Sequence, residues 1–109
     1  MATLYQIHST MDNLKHCTQQ LALTWRVGDS LILLGSTVAF IDWLTAYVND
    51  ADIKGIKNIY ALADDVAQLS AHTQATLKLE SKLTDLLTDN EWVTLTQDKQ
   101  FDKVVTIAL

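Results

Sequence analysis

The chain carries one thiol, Cys17, with His16 beside it and two further imidazoles at His8 and His72. A cysteine with a histidine is a pair suited to nucleophilic catalysis, because a neighbouring cation lowers a thiol's pKa. On a helix, though, consecutive residues point about 100° apart, so His16 and Cys17 would not aim at one substrate or one ion. The sequence contains no H-x-x-x-H and no C-x-x-C, spacings that set two metal ligands on one side of an element. Neither metal binding through His8, His16, Cys17 and His72 nor any cofactor is expected.

Two other short stretches have chemical potential. Gly35-Ser36-Thr37 closes an apolar run and opens a helix, a place where backbone N–H groups can cradle an anion, although no G-x-G-x-x-G or Walker A pattern surrounds it. Its structural reading is a capped turn between strand and helix. Asp64 and Asp65 could form a general acid/base pair; at the start of a helix such acids more often complement the dipole. There is no G-x-S-x-G elbow for a serine nucleophile.

The elements that would position these residues alternate strand and helix, the pattern of an α/β fold with a mainly parallel sheet and helices on both faces. "TLYQIH" (3–8) reads as the first strand, and Ser9 three residues before Asp12 is a weak helix-capping signature. Met11, Leu14, Cys17, Leu21 and Trp25 then recur at spacings of three and four, one face of an amphipathic helix, which makes Cys17 a buried, inert thiol on the residues alone. Gly28 stands where a C-cap glycine would. "SLILLG" (30–35) has the continuous apolar run of a central strand, a helix follows over 38–49, "GIKNIYAL" (55–62) is a third strand, and 63–69 opens a third helix.

The rest is less clear. Within 70–90, "TLKLE" alternates like a strand while "SKLTDLLTDN" has helical spacing. "EWVTLT" (91–96) looks like the last strand, and Phe101, Val104, Val105 and Ala108 fit a terminal helix. The helix over 38–49 carries two apolar stripes: Val38, Ile41 and Val48 in one direction, Phe40, Trp43, Leu44 and Tyr47 in another. One can cover the sheet; the second is expected to meet another subunit, unless the 70–90 connection folds over it.

At 109 residues the chain has the length of one domain, 1–109, with no proline and no Pro/Gly-rich linker. Thirteen acids against eight scattered bases give a net charge of −5, a poor composition for gripping phosphates, so direct nucleic-acid binding is not expected. No apolar run is long enough to span a bilayer, no signal peptide is apparent, and one cysteine cannot form an internal disulfide; the expected location is the cytoplasm.

Leu14-x-x-Cys17, then Gly28-Asp29-Ser30-Leu31-Ile32-Leu33-Leu34 and Val38-Ala39, resembles the N-terminal half of the TusB/DsrH family. "IYALADDV" (59–66) is similar to that family's Y-A-L-x-x-D segment, and "VTLTQDKQF" (93–101) to its closing region. The resemblance implies a DsrE-like layer fold and a role in a cytoplasmic sulfur-relay complex, in which three homologous small chains form a heterohexamer that passes persulfide sulfur between cysteines. It implies TusC/TusD-like (DsrF/DsrE-like) partner subunits. The end point is 2-thiolation of the tRNA wobble uridine in the Tus branch and sulfur oxidation in the Dsr branch. The main carrier cysteine belongs to the TusD/DsrE-like partner, so this chain is expected to be a non-catalytic subunit. The alternatives are a small sulfurtransferase carrying persulfide on Cys17 and an anion-binding module using the Gly35–Thr37 turn.

Overall fold

The computed structural model describes residues 2–108. Five strands, β1 (Ala2–His8), β2 (Ser30–Leu33), β3 (Ile59–Leu62), β4 (Asp85–Leu87) and β5 (Phe101–Ala108), form one sheet in the order β4-β3-β2-β1-β5. Every pairing is parallel, so the α/β expectation holds. The helices are α1 (Leu14–Ala22), α2 (Ile41–Asp50), α3 (Ala63–Ala67), α4 (Ala71–Leu77), α5 (Leu79–Lys82) and α6 (Asp89–Thr96).

The topology decides which face each helix covers. From β1 to β4 the chain steps in one direction, and right-handed crossovers then put α1 to α5 on one face. The return from β4 to the far side of β1 reverses direction, so α6 lies on the other. Strand alternation sorts the side chains accordingly. Tyr5, Ile7, Leu31 and Leu33 pack with Leu14, Leu21, Ile41, Leu44, Val48 and Val66. Leu4, Ile32, Leu62, Leu87 and Phe101 meet Trp92 and Leu95 of α6. Covered on both sides, all four residues of β2 are buried, as the run at 30–35 predicts.

The end of the chain departs from expectation. Residues 91–96 are helical and 101–108 are a strand, the reverse of the periodicity reading. Two local signals explain it. Thr88 and Glu91 form a reciprocal capping box that starts α6, with Glu91 N–H donating to Thr88 Oγ1 at 3.2 Å and Thr88 N–H donating to Glu91 Oε1 at 3.0 Å. The β-branched run Val104 to Ile107 favours extended backbone, and β1 supplies its ladder from about a hundred residues earlier. The connection over 70–90 resolves into α4, α5 and β4, with Lys78 in the left-handed region (φ 52°) between the two short helices.

Smaller corrections concern helix ends. Gly28 is not the cap of α1: the helix ends at Ala22, and Gly28 makes a later turn at φ 97°, its N–H donating to Gly55 O at 2.7 Å. Tyr5 draws the chain off the helical path, its hydroxyl 3.1 Å from Thr24 O and its ring 5.6 Å from that of Trp25. Ser9 does not cap; its hydroxyl donates to Thr10 O. The third strand is only Ile59–Leu62, and the helix expected over 38–49 begins as a 3-10 turn, Gly35–Phe40.

Candidate functional site at the carboxyl pole of the sheet

In a parallel sheet the loops beyond the carboxyl ends of the strands converge, and ligand sites gather there. The register aligns these ends: Ile7 faces Leu33, Leu33 faces Ala61, and Leu62 faces Leu87. His8 ends β1, Gly35 follows β2, and Asp64 and Asp65 open the helix after β3.

Gly35 is the centre of this pole. Its φ of 59° favours glycine, and a Cβ there would stand 2.8 Å from His8 Nε2, so a side chain would have to push the exposed imidazole aside. Its N–H donates to Asp65 Oδ2 at 2.8 Å. Thr37 is fully buried; its hydroxyl accepts from Ser9 N–H at 2.9 Å and contacts Ser9 O at 3.4 Å. Ser36 is exposed. Of the three residues of the candidate anion turn, one amide therefore already binds the chain's own carboxylate and one hydroxyl ties β1 to the turn. An external anion could take the Gly35 amide only by displacing Asp65.

The two acids separate in role. Asp65 reaches across to Gly35, while Asp64 is exposed. Sequence reasoning placed neither His8 nor Asp65 against Gly35. The signal was positional: each lies within three residues of the end of a parallel strand.

Cys17 does not join this pole. It is 1 % exposed, and no hydrogen-bond partner of its Sγ is found among the described residues. A 3-10 turn over Met11–Asn13 precedes α1, which makes Cys17 the fourth residue of the α-helix proper. His16 points outward, its Nε2 3.4 Å from Gln20 Nε2, so the pair is split between core and solvent. His72 is exposed on α4. Among the described residues, no three His, Cys, Asp or Glu side chains are grouped to hold a metal ion. No helix there is long and apolar enough to cross a membrane.

The outer surface of α2 forms a second feature. Trp43 is 57 % exposed, and its ring lies 6.2 Å from that of the half-buried Tyr47. Phe40 is also half-buried, whereas Leu44, expected on the same outer stripe, is 3 % exposed in the core with Ile41 and Val48. At about 100° per residue Leu44 stands about 60° from Ile41 and about 40° from Val48, so α-helical phase itself puts it with them. The 3-10 turn, at about 120° per residue, takes only Val38 and Phe40 out of phase with residues 41–50. Within α2 itself Ile41, Leu44 and Val48 form the inner stripe. The 70–84 segment approaches this helix, with Lys82 paired to Asp42, but leaves Trp43 open.

Two remaining sites hold the architecture. Asp29 is buried at the amino ends of the strands, where Oδ1 accepts from Thr3 N–H and Oδ2 from Arg26 N–H, both at 2.9 Å. A cleft of about 830 Å³ lies beside β4, walled by Val66, Leu79, Leu83 and Leu86. Two of its polar side chains are engaged by the backbone: Gln74 donates to Val66 O and Leu69 O, and Thr84 accepts from Ile59 N–H. On the other face, Tyr60 has its pKa raised from 10.0 by burial first, then by Asp85 and Asp98.

Fold and site together define a small α/β protein with a five-stranded parallel sheet, a buried thiol and an aromatic outer helix surface. Comparison of the chain with family models, with curated proteins and with solved structures finds no match.

Proposed function

We propose that the chain is a non-catalytic subunit of a cytoplasmic sulfur-relay complex, assembled with TusC/TusD-like (DsrF/DsrE-like) chains and serving 2-thiolation of the tRNA wobble uridine. The observation that carries this reading is the contrast between Cys17, 1 % exposed, and Trp43, 57 % exposed beside Tyr47. A persulfide carrier needs a thiol that partner cysteines can reach. An assembly subunit needs aromatic surface for a partner, and tryptophan and tyrosine are the residues that dominate interface cores. The sequence resemblance over Leu14–Cys17, Gly28–Leu34 and Ile59–Val66 supplies the family and the partners. These segments lie on α1, on the turn into β2 and on β3 into α3, which frame the core and the carboxyl pole.

The test is co-purification of the chain with TusC/TusD-like subunits, paired with measurement of 2-thiouridine in tRNA from cells lacking the chain. Cys17→Ala should restore both complex and thiolation. Trp43→Glu with Tyr47→Ser should lose both while the purified variant keeps its thermal transition. Thiolation lost with Cys17→Ala in an intact complex would replace this reading with the small sulfurtransferase. No complex with any such subunit would remove the relay altogether.

A further inference from the structure

β5 is an open edge. It runs for eight residues, against three for β4 at the other end of the sheet. Its ladder to β1 uses one side only. Beyond that ladder, the one backbone bond found for this strand among the described residues is Phe101 N–H to Asp98 O. The outward N–H and C=O groups are a template for another strand. Natural edges are usually guarded by charge, proline or a bulge. Here the charges, Asp102 and Lys103, and the register shift against Ala2 and Thr3 sit at the start of the strand. Residues 104–108 have no such guard, and Val104 is 38 % exposed.

We propose that this edge binds a second copy of the chain, β5 against β5 and antiparallel, giving a continuous ten-stranded sheet. Strand length favours this occupant: pairing on the β4 of another copy would offer three residues and leave an edge open for further addition. A β5–β5 contact is self-complementary and closes on itself. A two-fold axis normal to the sheet keeps each face on its own side, so opposed residues share parity. With Val105 on the axis, Val104 faces Thr106, Lys103 faces Ile107 and Asp102 faces Ala108. No like charges meet, and the β-branched run pairs with itself, the favoured side-chain chemistry of a sheet. The proposal does not rest on the sulfur-relay reading, which uses the α2 surface instead.

The experiment is light scattering coupled to size exclusion on the purified chain, from micromolar to millimolar concentration, with Val104→Lys/Thr106→Lys and Trp43→Glu alongside. The expected result is a dimer that dissociates on dilution, is abolished by the paired lysines and is unaffected by Trp43→Glu. Amide hydrogen exchange on the unmodified chain covers the case in which the lysine variant fails to fold. Alternate amides within 102–108 should gain protection at high concentration. A monomer at every concentration, a species larger than a dimer, a dimer lost with Trp43→Glu, or exchange in β5 independent of concentration would each overturn the proposal.

Discussion

Leu21→Ala should make Cys17 react about a hundred times faster in the native protein, without changing its rate in the unfolded chain. Leu21 is fully buried one turn after Cys17 on the inner stripe of α1 and packs in the cluster that contains Tyr5, Leu14 and Leu31. Truncation to alanine forfeits about 2.4 kcal/mol of transfer free energy, at about 0.8 kcal/mol per carbon removed. The residual cavity brings the loss to about 3 kcal/mol, the lower part of the range for buried leucines. At 1 % exposure, Cys17 meets a reagent only from an opened state, so its native rate is the unfolded rate multiplied by the opening constant. A loss of about 3 kcal/mol raises that constant by about two orders of magnitude. The assay is iodoacetamide alkylation at fixed pH, quenched and read by mass spectrometry, with the urea-unfolded chain as reference. For the unsubstituted protein, an opening cost of about 5 kcal/mol or more means alkylation slower than the unfolded chain by over about a thousandfold. A native rate within about tenfold of the unfolded one would refute the reasoning, because the thiol would then be reachable without opening α1. An unchanged rate in a Leu21→Ala protein that is measurably destabilised would show that Cys17 opens independently of the core.

Thr37→Val removes the acceptor of the buried Ser9 N–H and should cost about 1–3 kcal/mol, measured by urea denaturation. Ser30→Ala should be neutral or stabilise by up to about 1 kcal/mol, because the Ser30 hydroxyl is buried without a hydrogen-bond partner among the described residues. Tyr60 titrates above its ordinary 10.0, so the stability linked to it is complete below pH 10 and is lost as pH rises through its folded value. Asp85→Asn should lower that folded value without reaching 10.0, since burial is the larger cause; an unmoved absorbance titration of the phenol would contradict this.

Residues 2 to 50 were largely legible from local pattern. The apolar run Leu31–Leu34, three residues of which lie in β2, has the pattern of a strand covered twice, and the Leu14–Cys17–Leu21 spacing places the thiol inside before any contact is known. A stripe depends on helical phase, however: the 3-10 turn at Gly35–Phe40 takes Val38 and Phe40 out of phase with α2, and Leu44, at the border of the two stripes, falls with Ile41 and Val48 in the core. The carboxyl pole shows a second limit. His8, Gly35 and Asp65 are far apart in the chain and meet because parallel register brings the ends of β1, β2 and β3 level. The final twenty residues show the strongest one. Phe101, Val104, Val105 and Ala108 fit helical spacing, the β-branched run Val104 to Ile107 leans towards a strand, and the ladder offered by β1 decides between the two. That choice belongs to tertiary structure because the ladder's two halves are separated by most of the chain, and backbone hydrogen bonds across such a distance leave no periodic trace in either segment.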